Sequence, residues 1–118
     1  MLVSGDEPLD ELSIGGPSSL CRLGGIGDGA ERFAPERAGL PRHPLTAIRG
    51  GDARYNAAAL RRLLDGEAGA YRDAVLLNAA AALIVAGRVD DWFEGVAMAA
   101  DAIDGKAADR LLARWIAY

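Results

Sequence analysis

The grammar of the chain changes at Gly50-Gly51, and that change restricts the fold more than any other feature. Ahead of the dipeptide, Gly and Pro break the sequence into short apolar pieces. Behind it, Ala and Leu dominate and the apolar residues recur at helical spacing. Such a chain reads as an irregular strand-and-loop segment over 1–49 running into a helical segment over 50–118, with no linker long enough to separate them. The fold class expected is α/β, or α+β within these 118 residues, and no internal repeat is present.

In the first segment, Met1-Leu2-Val3 reads as the end of a buried strand. Ser18–Leu23 and Ala30–Phe33 read as two further strands joined through Gly24–Gly29, a Gly/Asp cluster able to adopt the positive φ angles of a hairpin turn. Pro35-Glu36 suits the start of a single helical turn closed by Gly39. In the second segment, Asp52 is placed to cap a helix to about Leu64, with Leu60, Leu63 and Leu64 on one face and Gly66 as the stop. Arg72–Ala86 is apolar nearly all round and is expected to be central and buried. Asp91 with Glu94 resembles a capping box opening a third helix to about Asp104-Gly105. Lys106–Tyr118 forms a fourth, with Leu111, Leu112, Trp115 and Ile116 on one side. Trp92, Phe93 and Trp115 are most simply core residues.

Composition removes several classes of function. A net charge of −4, with arginines scattered among acids, leaves no basic stripe for a nucleic-acid backbone. A single cysteine, Cys21, excludes an internal disulfide and a cysteine-based zinc cluster, and suits a reducing, cytoplasmic setting. The longest apolar run, Ala79–Ala86, is far below the roughly 18 residues needed to span a bilayer, so no membrane partner is expected. No basic stretch followed by an apolar one opens the chain, so a secretory leader is not expected.

The residues with chemical potential are few. Asp10-Glu11 lies on a Gly/Pro-bounded segment, and neighbouring side chains on extended backbone point to opposite sides, so two vicinal carboxylates can serve or bridge divalent cations. Most paired acids are simply solvated, and spacing alone favours that bland reading. Asp6-Glu7 and Asp90-Asp91 are assigned to solvent as well. Gly25-Ile26-Gly27-Asp28-Gly29 has neither the long strand before it nor the helix after it that a phosphate-cradling loop requires, and reads as a turn. Gly50-Gly51-Asp52 opens a helix, but the Asp52 carboxylate would occupy the anion position itself. His43, between Arg42 and Pro44, has no acidic or cysteine partner nearby in sequence. Asn78, within an apolar helix, is expected to bond a neighbouring loop.

Taken in order, these segments resemble the anthranilate phosphoribosyltransferases. Leu9-Asp10-Glu11 matches the family's Gly-Leu-Asp-Glu segment, and Ser13 with Gly16-Pro17-Ser18 continues it. Gly50-Gly51-Asp52-Ala53, Asn56-Ala57, Leu60, Leu64, Gly66, Asp73, Asn78-Ala79-Ala80 and Gly95-Val96 extend the likeness along essentially the whole chain. Two departures stand out: Ser4-Gly5 where the family commonly has His-Gly, and Pro8 where it has Gly. Proline fixes φ near −65° and removes a donor, which redirects the loop ahead of the acids.

The resemblance implies a pentosyltransferase of tryptophan biosynthesis that moves phosphoribosyl from phosphoribosyl pyrophosphate to anthranilate and releases pyrophosphate. It implies Mg²⁺ held by Asp10 and Glu11, with no catalytic residue assigned. The family's diphosphate loop and N-terminal helical domain are not found here, so the chain is expected to be a C-terminal fragment, a truncated product or one piece of a split enzyme. Open strand edges would then favour homo-oligomers or pairing with the missing portion. A non-catalytic helical interaction module and a nucleoside-phosphorylase-like relative are the competing expectations.

Overall fold

The computed structural model describes residues 1–7, 9–24 and 29–118. Three short strands, β1 (Leu2–Gly5), β2 (Ser18–Arg22) and β3 (Gly29–Phe33), form an antiparallel sheet in the order β1-β2-β3. Val3 pairs with Leu20 and Leu20 with Glu31, while Gly5 pairs with Ser18 and Ser18 with Phe33. Because successive residues face opposite sides, this register sends Val3, Ser18, Leu20 and Phe33 to the core side of the sheet. β2 and β3 pair as a hairpin. The turn expected at Gly25–Asp28 lies outside the described residues.

Strand β1 has the open edge expected of it but is not a buried strand. It is an edge strand with alternating exposure rather than a strand buried on both faces, and Leu2 is 65% exposed. Within the described residues only β2 pairs with it, so one edge and one face stay uncovered.

Two 3-10 turns follow the sheet. Pro35–Ala38 ends at Gly39, whose φ of 76° is the left-handed conformation that Gly adopts without penalty. Leu45–Ile48 forms a second turn that no local signal in the sequence announced. Four α-helices complete the order: α1 (Ala53–Leu64), α2 (Ala70–Val85), α3 (Trp92–Asp104) and α4 (Ala107–Ile116). The expected caps operate. Asp52 accepts from the Tyr55 amide at 2.8 Å, and Asp91 accepts from the Glu94 amide at 2.9 Å. At the far end of α1, Lys106 Nζ donates to the Leu64 carbonyl at 2.9 Å, satisfying one of the acceptors a helix end leaves open.

The core forms where α2 meets α3 and the sheet. Leu76, Leu77 and Ala80 of α2 pack with Ala99 and Ile103 of α3, and with Leu12, Ile14, Leu20 and Phe33 from the first segment. The two helices approach closely because Gly95 lacks a side chain: a Cβ there would lie 2.8 Å from that of Ala80. Phe33 and Trp92 stack with ring centroids 4.1 Å apart, joining β3 to α3.

The expectation of a central and buried α2 holds in part. The helix is central, with Leu76, Leu77 and Ala80 fully buried and most of the rest partly covered, but Tyr71, Ala82 and Val85 are exposed, Val85 at 61%. Trp92 is core as expected, but Phe93 and Trp115 are not, being 62% and 70% exposed. Phe93 stands about 100° round the helix from Trp92 and lies across the Gly39 turn. Trp115 sits on α4, which has no fully buried residue at all.

Candidate metal-binding loop

Residues 6–17 connect β1 to β2, and the anchoring of the stretch from Leu9 onward is unusually polar. Asn78, partly buried on α2, grips the backbone of Leu12 with both ends of its amide. Its Oδ1 accepts from the Leu12 N–H at 3.0 Å, and its Nδ2 donates to the Leu12 carbonyl at 3.0 Å. The same Nδ2 also donates to the Ala74 carbonyl one turn back, at 3.0 Å. Sixty-six residues separate the partners. The expected loop bond of Asn78 is therefore present, and it falls on the residue directly after Glu11.

Neighbouring bonds hold the rest of the loop. Ser13 and Ser18 are buried; the Ser18 hydroxyl accepts from the Ser13 amide, and the Ser13 hydroxyl accepts from the Gly15 amide, each at 2.9 Å. The Ile14 carbonyl accepts from the His43 amide at 3.0 Å. His43 also has the acidic partner that its sequence neighbourhood lacks. Its Nε2 lies 2.7 Å from Asp73 Oδ2 with both side chains largely covered, so α2 anchors this loop cluster a second time. No local signal could have revealed that pair, because the partners are thirty residues apart.

On this clamped base Asp10 and Glu11 stand exposed. Among the described residues neither carboxylate takes part in a hydrogen bond or an ion pair, whereas each of the other vicinal pairs has one member engaged, Asp6 and Asp91. Asp6 is paired with Arg32, whose hydrogen bond holds its carboxyl below the usual range, while Arg32 is raised in turn. Glu7 turns under the next stretch of loop, where a Cβ on Gly15 would come within 3.0 Å of its Oε1. Its Oε2 is buried without a hydrogen-bond partner among the described residues. Asp91 is used as a helix cap.

The donor set at Asp10-Glu11 fits magnesium. Two hard, charged oxygen groups are available, and no third His, Cys, Asp or Glu among the described residues completes a cage. Magnesium is commonly held this way, by one or two carboxylates together with water and substrate phosphates. Pro8, the departure just ahead of the pair, lies outside the described residues. Ser4, the other departure, is exposed, and its hydroxyl donates to the Gly5 carbonyl at 3.3 Å. A cleft of about 500 Å³ lies elsewhere, lined by Arg49, Tyr55, Asn56, Arg62 and Tyr71 among others, and does not include the acids. Beside it, Asn56 clamps Gly51 as Asn78 clamps Leu12: Oδ1 accepts from Gly51 N at 2.9 Å and Nδ2 donates to Gly51 O at 3.0 Å. The Gly50-Gly51-Asp52 turn thus has the structural role expected of it. No helix among the described residues is long and apolar enough to cross a membrane.

With loop and helices in place, the class is defined: residues 1–108 match the glycosyl transferase family, a/b domain, and the chain belongs to that family. Within it, the chain is 58% identical over 117 residues to the anthranilate phosphoribosyltransferase of Sphingopyxis alaskensis, covering 99% of this chain and 35% of the relative. The crystal structure of anthranilate phosphoribosyltransferase from Thermus thermophilus superimposes with a TM-score of 0.87 at 41% identity, covering 98% of this chain and 34% of that one. The Saccharomyces cerevisiae enzyme in complex with PRPP and Mg shares the fold, with a TM-score of 0.81 at 24% identity over 92% of this chain and 31% of that one. The chain thus spans about a third of the length of the relatives it matches.

Proposed function

We propose that the chain is the C-terminal third of a cytoplasmic anthranilate phosphoribosyltransferase and contributes the magnesium-holding edge of its site. The observation that carries this reading is the exposed Asp10-Glu11 pair, unengaged among the described residues, on a base that the fold clamps from several sides. In the reaction proposed, the amine of anthranilate bonds to carbon 1 of the ribose, the bond from that carbon to the diphosphate breaks, and the amine's surplus proton passes to solvent. Magnesium, when bound, neutralises charge on the departing diphosphate. Asp10 and Glu11, on the bend just ahead of Leu12, would hold the ion through their carboxylate oxygens. Neither moves a proton. Leu12, Ser13 and Ile14, tied down by Asn78, Ser18 and His43, keep both acids in one place.

A partial length implies a partial site, so the isolated chain is expected to have negligible transferase activity. The test is calorimetric binding of phosphoribosyl pyrophosphate with and without Mg²⁺. Binding that needs Mg²⁺ and disappears in Asp10→Ala and Glu11→Ala supports the proposal. Binding that ignores both the ion and the substitutions, or no binding at any accessible concentration, contradicts it. A second reading, a non-catalytic association module, is favoured by α4, whose Trp115 and Ile116 are 70% and 64% exposed. Two large apolar side chains exposed side by side on one helix suit an interaction face. Self-association without metal-dependent binding would support that reading.

A further inference from the structure

We infer that Asn78 is a positioning residue for the metal-holding acids, acting through the Leu12 backbone; the inference rests on the assignment of Asp10-Glu11 as magnesium ligands. An amide side chain offers two acceptor sites on its oxygen and two N–H donors. Asn78 directs its oxygen and one N–H to a single peptide segment of a distant loop, and holds its own orientation through the bond to Ala74. The alternation of donor and acceptor matters. Only a group presenting both can satisfy the Leu12 N–H and C=O together, and Leu12 itself is 2% exposed, so water does not readily replace it. Glu11 is one peptide bond away and Asp10 two, which leaves little slack between the clamp and the carboxylates. Outer partners that orient metal ligands typically change affinity 10- to 100-fold when removed.

The molecule contains its own control. Asn56 makes the same two-way clamp on the Gly51 backbone, at an exposed position away from the acid loop. A generic loss of stability would follow from removing either asparagine; an effect on metal binding should follow only from Asn78.

The experiment titrates the full chain with Mn²⁺ as probe, measuring free ion by electron paramagnetic resonance. Asn78→Ala is expected to weaken binding about tenfold with helical circular dichroism retained, and Asn56→Ala to leave it within about twofold. A folded Asn78→Ala with unchanged affinity overturns the inference, as does an equal loss in Asn56→Ala. If Mn²⁺ binding in the parent survives Asp10→Ala with Glu11→Ala, the magnesium reading falls instead, and this inference with it. Should Asn78→Ala not fold, amide exchange in the parent decides. The Leu12 amide is expected to be protected at least about 100-fold more than that of Asp10, as a bonded buried amide should be; equal exchange overturns the clamp.

Discussion

Asp10-Glu11 and Asp90-Asp91 are the same chemistry in two places, and the fold uses them differently. Behind Asp90-Asp91 a helix begins at once, and Asp91 is consumed as its cap, bonded to the Glu94 amide at 2.9 Å. Behind Asp10-Glu11 no helix begins. The backbone dives into the core at Leu12, Ser13 and Ile14 and is caught there by side chains of other elements. Asp90-Asp91 belongs to secondary structure; Asp10-Glu11 is displayed by tertiary structure. The residues next in the chain thus decide whether a pair of acids is free to hold a ligand, since a carboxylate committed to a cap has little left to offer an ion.

Substitutions can break or sharpen that contrast. The largest effect is expected from Asn78→Ala, which leaves the buried Leu12 N–H and C=O without partners. A loss of about 2 kcal/mol in urea unfolding is anticipated, and a loss below about 0.5 kcal/mol would mean the loop is not held as described. Next comes Asp91→Ala, for which removal of the cap should cost about 1 kcal/mol with no change in Mn²⁺ binding. Weakened ion binding there would erase the distinction between the pairs. Asp10→Ala and Glu11→Ala should shift stability by no more than about 0.5 kcal/mol, as exposed positions do, while abolishing Mg²⁺-dependent binding of the diphosphate. A large stability loss would assign this pair a structural role too.

The smallest effect concerns Asp6. Its hydrogen bond to Arg32 depresses the folded-state pKa below the ordinary 3.8. The stability it contributes is therefore present above that unfolded value and is lost as pH falls through the lower, folded one. Arg32→Ala should move the Asp6 titration, followed by carboxyl NMR, back up toward 3.8 and leave stability at neutral pH almost unchanged, because the pair is exposed. No movement in the titration would remove this pair from the contrast.

Much of the fold was legible because its signals are local. Asp52, Asp91, Gly39 and Gly66 act within one helical turn of where they stand, and periodicity marked the apolar faces of α1 and α4. What periodicity cannot state is what lies against a face. Phe93 and Trp115 carry the same apolar signal as Trp92, yet only Trp92 finds Phe33 to stack on. The acid pair was visible as a motif, whereas the clamp that displays it was not. Asn78 with Leu12 and His43 with Asp73 are meetings across 66 and 30 residues, created by the packing of α2 against the loop. The uncovered β1 edge was legible only as a consequence of family likeness, and the exposure of Leu2 agrees with it.

The location of a divalent ion on the chain tests the magnesium assignment most directly. Amide resonances recorded with substoichiometric Mn²⁺ should broaden first and most strongly at Asp10 and Glu11, weaken through Leu12 and Ser13, and leave Asp90 and Asp91 sharp. Broadening that centres on Asp90-Asp91 or on Glu7, or that spreads evenly over every exposed acid, would contradict it.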